Sequence, residues 1–170
     1  MDKCLIDMTP IKSNIETRLN KEISAFLKRS HIAKPGRSVT YDDFLTDKML
    51  IIYAIRAGIP YSLFALIQDY TPFTENDWAH FLDISTKSLQ RYKASAGHYF
   101  KPIHSEKIIE MAEVTKIGLD VFGDMGKLGL WLNTPNYALG KLKPLELLRD
   151  SYGKELVISE LIRINYGIFV

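Results

Sequence analysis

The sequence predicts an all-α fold, and two patterns carry that prediction. Apolar residues recur at the helical spacing of about 3.6 residues over long stretches, whereas the alternating patterns typical of strands between tight turns are scarce. The 170 residues suffice for one medium domain or two small ones. A hydrophobic content of 46% and a charged content of 25% are typical of a globular protein, which excludes the disordered and collagen-like classes.

Cysteine content and hydropathy exclude further classes. The chain contains one cysteine, Cys4, so neither an intrachain disulfide nor a cysteine-based zinc cluster can form. No apolar run approaches the roughly 20 residues that a membrane helix needs, and residues 1–10 lack both the basic opening and the apolar centre of a signal peptide. We therefore expect a cytoplasmic protein without a membrane partner.

Three helices are predicted before residue 71. The first spans about residues 11–30 and ends before the Pro-Gly of segment 33–38, the second begins near Asp47 and ends at Gly58, and the third spans residues 60–70. The first helix carries an apolar stripe that indicates ordinary packing rather than a partner site. The residues of this stripe are Ile15, Leu19, Ile23, Phe26 and Leu27. Basic residues of the same segment could add a basic arm; they are Lys12, Arg18, Lys21, Lys28 and Arg29.

Two short helices joined by a tight turn are predicted next. Thr74 is a favourable N-cap, and Asp77 three residues later can complete a capping box, so residues 75–82 should be helical. Ser85 caps a second helix over residues 86–94, and Asp83 occupies the turn position where a left-handed backbone is expected. The apolar spacing is that of a helix-turn-helix. The residues expected to pin its helices together are Trp78, Ala79, Leu82, Ile84, Leu89 and Tyr92.

Charge is distributed unevenly, although the net charge is only +2. Residues 59–84 contain four acidic residues and no Lys or Arg, whereas residues 85–107 contain five basic residues and one acidic residue. A basic second helix favours DNA binding over the alternative, a merely solvated basic helix. Gln90 could read adenine and Arg91 guanine, and the lysines would hold phosphates. The predicted DNA-binding residues are Thr86, Lys87, Ser88, Gln90, Arg91, Lys93 and Lys101.

The last third predicts a separate helical module. Helices are expected at about residues 106–122, 127–133, 144–150 and 152–166, because Gly123, Pro135 and Gly167 follow apolar periodic segments. The last helix should bury one face, formed by Val157, Leu161 and Ile164.

This module carries a specific sequence pattern. Val-Phe-Gly-Asp stands at residues 121–124, Trp-Leu-Asn-Thr-Pro-Asn-Tyr-Ala-Leu-Gly at residues 131–140, Pro-Leu-Glu-Leu-Leu at residues 144–148 and Tyr-Gly with an apolar tail at residues 166–170. The pattern closely resembles that of the Xre/ParS/MbcA antitoxins, and the resemblance covers about residues 58–170. It implies a helix-turn-helix DNA-binding region at 58–105 and a helical toxin-binding domain at 106–170. The resemblance does not cover residues 1–57, which we predict to be an N-terminal helical extension.

The resemblance also implies partners. They are a cognate RES-type toxin that attacks NAD, operator DNA in the protein's own promoter, and either a second copy of the chain in a homodimer or a toxin–antitoxin hetero-oligomer. Trp131 suits a core position as well as an interface. The apolar tail either folds back onto its own domain or enters and blocks the toxin's cleft. The implied toxin-binding residues are Trp131, Asn136, Tyr166, Gly167, Ile168, Phe169 and Val170.

No constellation of residues predicts an enzyme. The four histidines, His31, His80, His98 and His104, have no metal-binding spacing, and no Gly-rich phosphate loop is present. We therefore expect no catalytic residues, no metal and no cofactor. Two rival functions remain open: a helix-turn-helix regulator without a toxin partner, and a toxin-binding protein whose helix-turn-helix has lost contact with DNA.

Overall fold

The computed structural model describes residues 9–32, 38–95 and 97–167, with side chains from residue 14 onward. Within these residues the chain is helical, and the one β pairing among them is an isolated bridge between Pro60 and Tyr99. The all-α prediction is confirmed. The described helices are α1 (Thr9–Arg29), α2 (Tyr41–Thr46), α3 (Lys48–Ala57), α4 (Tyr61–Asp69), α5 (Glu75–Phe81), α6 (Thr86–Ala94), α7 (Pro102–Phe122), α8 (Met125–Leu132), α9 (Pro144–Leu147) and α10 (Ser151–Asn165), with a 3-10 turn at Tyr137–Leu139.

The long helix α7 is the central element of the fold. It packs against α2, α3 and α4 on the amino-terminal side and against α8 and α10 on the carboxy-terminal side. Its buried stripe includes Ile108, Met111 and Val114. Because α7 runs across the predicted domain limit at residue 105, one helix contributes to both halves of the core; the domain limits themselves stay a prediction.

The amino-terminal helix α1 packs mainly on α4. Leu19, Ile23, Phe26 and Leu27 are fully buried, which confirms the predicted packing stripe. Burial of each such side chain stabilises the fold by about 1.5–3 kcal/mol. The Asn20 side chain also accepts a hydrogen bond from the Tyr41 N–H at 2.7 Å, which fixes α1 against the start of α2.

Several predicted helix boundaries were wrong. Helix α7 begins at Pro102 rather than near residue 106, because proline is well suited to the first turn of a helix. Helix α9 ends at Leu147 rather than at residue 150, because Asp150 caps α10 by accepting a hydrogen bond from the Gly153 N–H at 2.8 Å. Helix α2 was not predicted, although a capping box of Thr40 and Asp43 marks its start.

A largely buried ionic network joins α7 to α10. The Glu110 carboxylate lies 2.7 Å from Lys107 Nζ and 3.3 Å from Lys154 Nζ, and Lys107 Nζ also donates to the Leu148 carbonyl oxygen. Lys107 was counted in the basic block of residues 85–107, and its burial removes one positive charge from the surface expected there. Removing the Glu110 carboxylate would leave the largely buried Lys107 ammonium without its ionic partner, which is strongly destabilising.

Candidate nucleic-acid interface and partner surface

Helices α5 and α6 begin where the capping residues predict. Thr74 and Asp77 form a reciprocal capping box. The Thr74 N–H donates to the Asp77 carboxylate with an N···O distance of 2.8 Å, and the Asp77 N–H donates to the Thr74 hydroxyl with an N···O distance of 3.1 Å. The Ser85 hydroxyl accepts a hydrogen bond from the Ser88 N–H at 3.1 Å and starts α6 at Thr86. Helix α6 therefore spans the predicted residues 86–94, and α5 ends one residue earlier than predicted.

The turn between α5 and α6 has the expected left-handed residue. Asp83 has a φ of +52°, and the Ile84 N–H donates to the Ala79 carbonyl oxygen at 3.0 Å. Arg149, which follows α9, lies 3.7 Å from the Asp83 carboxylate. The turn of the helix-turn-helix thus faces a residue of the carboxy-terminal module.

Aromatic packing fixes the two helices to α4. Trp78 is fully buried, and its ring packs edge-on against Phe64, Phe73 and Phe81 at centroid distances of 5.1–6.0 Å. Leu89 of α6 is also buried, whereas Ile84 and Tyr92, predicted to pin the helices, are half-buried and pack against the same core.

The loop that follows α6 is held against the segment between α3 and α4. The Tyr61 N–H donates to the His98 carbonyl oxygen, and the Phe100 N–H donates to the Ile59 carbonyl oxygen, both at 2.8 Å. The His98 ring stacks on Tyr92 with centroids 3.7 Å apart. These contacts fix the end of α6 relative to the amino-terminal core.

Two histidines near α6 have shifted pKa values. Partial burial lowers the pKa of His98 from its ordinary value, and the neighbouring His104 and Arg91 lower it further. Partial burial also lowers the pKa of His104, followed by the effect of Lys101, and Asp83 opposes this shift. Both imidazoles are therefore neutral above their lowered pKa values.

The predicted DNA-binding residues lie on α6, except for Lys101 on the loop that follows it, and they differ in exposure. Thr86 and Ser88 are half-buried rather than exposed, because they lie in the first turn of α6, where the Ser88 hydroxyl is 3.0 Å from that of Ser85. The other predicted residues are exposed; they are Lys87, Gln90, Arg91, Lys93 and Lys101. They supply both kinds of donor that DNA recognition uses, groups for base edges and cations for phosphates.

The sequence pattern around residue 136 forms a tight corner. The Asn136 side chain accepts a hydrogen bond from the Ala138 N–H at 2.8 Å, and its own N–H donates to the Leu142 carbonyl oxygen at 3.0 Å. Gly140 has a φ of +69°. Trp131, implied as a toxin-binding residue, is half-buried and packs against Phe122 at 5.7 Å. Asn136 therefore shapes this corner, whereas the Trp131 side chain packs α8 against α7.

Helix α10 exposes four large apolar side chains. Tyr152, Leu156, Ile162 and Tyr166 are 83%, 55%, 44% and 75% exposed. At 100° per residue they fall within an arc of about 120°, and the polar side chains of Glu155, Ser159 and Arg163 lie on the same arc. We call these four residues the α10 outer face. Tyr166 was identified from the sequence as a partner-binding residue, but the other three were not. Their spacing along the predicted helix places them on the same side as Tyr166, and this signal could have identified them.

Other implied toxin-binding residues adjoin this face in sequence. Gly167 follows Tyr166 and has a φ of +69°. Ile168, Phe169 and Val170 lie outside the described residues. Leu130 and Tyr137, two further large apolar residues of the carboxy-terminal module, are 71% and 78% exposed.

Metal clusters and membrane-spanning helices are both absent from the described ranges. Residues 9–32, 38–95 and 97–167 contain no group of three or more metal-ligating side chains placed to hold an ion. Across these same ranges, helices long and apolar enough to cross a bilayer are absent.

The fold and the two surfaces define a helix-turn-helix protein with a helical carboxy-terminal module that exposes large apolar side chains. Residues 51–113 match the family model of the Antitoxin Xre-like helix-turn-helix domain, and residues 118–167 match that of the Antitoxin Xre/MbcA/ParS C-terminal toxin-binding domain. The chain therefore belongs to the Xre/MbcA/ParS antitoxin family, as the sequence resemblance implied. Both matched domains are antitoxin domains, and neither description names a catalytic activity.

Two individual proteins are also similar. Antitoxin Xre of Yersinia enterocolitica serotype O:8 / biotype 1B is 27% identical over 121 residues, which is 71% of this chain and 81% of the relative. A chain of the crystal structure of the M. tuberculosis MbcT-MbcA toxin-antitoxin complex aligns with a TM-score of 0.49 and 23% identity. That alignment covers 63% of this chain and 94% of the other.

Proposed function

We propose that this antitoxin neutralises a RES-type, NAD-degrading toxin in the cytoplasm and represses its own operon by binding operator DNA. The observation that carries the proposal is the α10 outer face, because it lies almost wholly within the matched toxin-binding domain. A cluster of exposed tyrosine and aliphatic side chains is typical of a protein-binding surface.

The α10 outer face is suited to tight association. Two of its four residues are tyrosines, which bury much area and lose little conformational entropy on binding. Burial of four such side chains against a partner supplies several kcal/mol, at about 25 cal/mol per Å² of apolar surface. The side chains of Tyr152 and Tyr166 would anchor the contact, and Leu156 and Ile162 would fill the surface between them.

The remaining implied residues have distinct proposed roles. Asn136 shapes the corner that packs beside α10, Trp131 packs α8 against α7, and Gly167 allows the chain to turn after Tyr166. Ile168, Phe169 and Val170 follow directly in the sequence and would enter the toxin's cleft. Neutralisation in this proposal is occlusion, because the antitoxin excludes the dinucleotide from the cleft and performs no chemistry itself.

Repression would use the exposed surface of α6. Gln90 and Arg91 are placed to read base edges, whereas Lys87, Lys93 and Lys101 would contact phosphates. A homodimer would present two α6 helices to the two half-sites of a palindromic operator. Toxin bound to the α10 outer face would form a hetero-oligomer with the same antitoxin.

Co-expression with the neighbouring open reading frame tests neutralisation. Cells carrying the neighbour alone should stop growing and lose NAD, and the full chain should restore both. A chain ending at Gly167 should bind the toxin but rescue poorly. Full rescue by the shortened chain would show that the tail is not the blocking segment. If the product of the neighbouring gene is harmless and does not co-purify, the rival function, a regulator without a toxin partner, is favoured.

Binding to the DNA upstream of the gene tests repression. The full chain should bind this duplex with an affinity that falls steeply with salt, and Arg91→Ala should weaken binding, whereas Arg163→Ala on α10 is the matched control. Toxin neutralisation without any such DNA binding would favour the rival in which the helix-turn-helix has lost its DNA contact.

A further inference from the structure

The carboxy-terminal turn of α1 lies beside the loop that follows α6. Arg29 of α1 lines a cavity of about 250 Å³ together with Tyr61, Gly97, His98 and Tyr99. We call this cavity the α1–α6 cleft. It brings a residue of the amino-terminal extension next to the end of the proposed recognition helix.

Side-chain contacts hold the Arg29 guanidinium in place. Arg29 Nη2 lies 3.0 Å from the Glu22 carboxylate, and the same carboxylate accepts a hydrogen bond from the Ser62 hydroxyl of α4 at 2.7 Å. A guanidinium has five N–H donors, so the pair with Glu22 orients the group and leaves donors for an anion. Half of the Arg29 side chain is exposed, and Lys28 beside it is exposed as well.

The position of the cleft fits the dimensions of a DNA duplex. Helix α6 has nine residues and is therefore about 13 Å long, and the major groove is about 12 Å wide between its phosphate backbones. In homeodomains the carboxy-terminal end of the recognition helix contacts the DNA backbone, so a cleft at this end of α6 would lie near a backbone when α6 occupies the groove. Lys101 on the following loop is also exposed.

We propose that Lys28 and Arg29 bind a backbone phosphate of the duplex that α6 reads. The amino-terminal extension is then part of the DNA interface, in addition to packing against the core. This inference rests on the DNA-binding part of the proposed function. Arg29 is suited to the contact, because its planar fork matches phosphate oxygens and its stem is fixed by α1.

The salt dependence of DNA binding tests this contact. The affinity of the full chain for a 30-base-pair duplex from upstream of its gene is measured over a salt series. Each phosphate contact contributes about 0.9 to the slope of log K against log salt. The double variant Lys28→Gln and Arg29→Gln should reduce the slope by about 1 and weaken binding several-fold at fixed salt.

A matched control lies on the same helix. Arg18 and Lys21 are also exposed but line a different cavity together with Asp69. The double variant Arg18→Gln and Lys21→Gln makes the same change in net charge and should leave the slope unchanged. Circular dichroism melting of both variants separates a lost contact from a lost fold.

The outcomes separate this inference from the function on which it rests. If Arg91→Ala weakens binding but Lys28→Gln with Arg29→Gln keeps the wild-type slope, the α1 contact is refuted and DNA binding by α6 stands. Equal slope losses in the test and control variants would indicate a general charge effect and also refute it. If the wild type binds no duplex, both proposals fail. Saturable binding of inorganic phosphate at His98 by NMR, with an unchanged DNA slope, would assign the cleft to free phosphate instead.

Discussion

Gly58 and Phe100 approach so closely that a β-carbon on Gly58 would lie 2.6 Å from the Phe100 carbonyl oxygen. Gly58 also has a φ of +85°, a conformation that side-chain-bearing residues rarely adopt. The contact joins the segment between α3 and α4 to the loop after α6. The orientation of the proposed recognition helix therefore depends on a residue that makes no contact with DNA.

Gly58→Ala should destabilise the fold by more than about 2 kcal/mol, because backbone strain at positive φ adds to the clash with Phe100. Gly123 is the control, since its φ is +67° and the space around it is open. Gly123→Ala should cost only about 1 kcal/mol. Urea unfolding of both variants measures the difference, and equal losses would show that the close approach is not limiting.

The Ser105 hydroxyl fixes the same junction by hydrogen bonds. It accepts a bond from the Ile59 N–H at 2.9 Å and donates to the Phe100 carbonyl oxygen at 3.2 Å, and it is fully buried. Ser105→Ala should cost about 1–3 kcal/mol in unfolding free energy, because the buried Ile59 N–H loses its partner. The exposed substitution Ser159→Ala in α10 should change stability little; a loss at Ser159 as large as that at Ser105 would contradict this account.

Substitutions of Asp83 test how much backbone strain the turn of the helix-turn-helix contains. Asp83→Ala should destabilise the protein by about 1 kcal/mol, because alanine adopts a left-handed backbone less readily than aspartate. Asp83→Gly should be at least as stable as the wild type, since glycine is unstrained there. Arg149→Gln controls for the exposed 3.7 Å ion pair and should cost less than about 1 kcal/mol. Thermal melting distinguishes the three variants, and a destabilised glycine variant would refute the role of strain.

The lowered pKa of His98 predicts a pH dependence of stability. A histidine whose folded pKa lies below its unfolded value of about 6.5 favours the neutral form in the folded state. The contribution of such a histidine to the free energy of unfolding is fully present above the unfolded pKa. It is lost as the pH falls through the folded pKa. Unfolding free energies measured between pH 7.5 and pH 5 should therefore decline less in His98→Gln than in the wild type; identical declines would contradict the assignment.

Local signals made the helix-turn-helix predictable from sequence. Thr74 with Asp77 and Ser85 mark helix starts through side chains within three residues of the backbone that they cap, so the sequence alone carries this information. The capping box of Thr40 and Asp43 marks the start of α2 in the same way, but this six-residue helix is too short to show an apolar periodicity and was not predicted.

Features that depend on distant residues were not predictable in this way. Lys107 counts as a basic residue in the sequence, but Glu110 and Lys154 bring it into a buried network that spans two helices. The α1–α6 cleft likewise depends on the packing of α1 against α4, which places Arg29 beside residues almost 70 positions later. The α10 outer face is readable on a helical wheel, but its exposure depends on how α10 packs on α7.

The affinity of the full chain for the purified product of the neighbouring gene tests the central claim most directly. Titration calorimetry should show saturable binding with a Kd of about 1 μM or lower, a binding free energy near 8 kcal/mol. The pair Tyr152→Ser and Tyr166→Ser should weaken binding by about tenfold or more, since tyrosine is enriched among the residues that carry most of the binding energy of an interface. The exposed control Tyr53→Ser on α3 should bind as the wild type does. Saturable binding that is unaffected by loss of both α10 tyrosines, or no binding at all, would contradict the account.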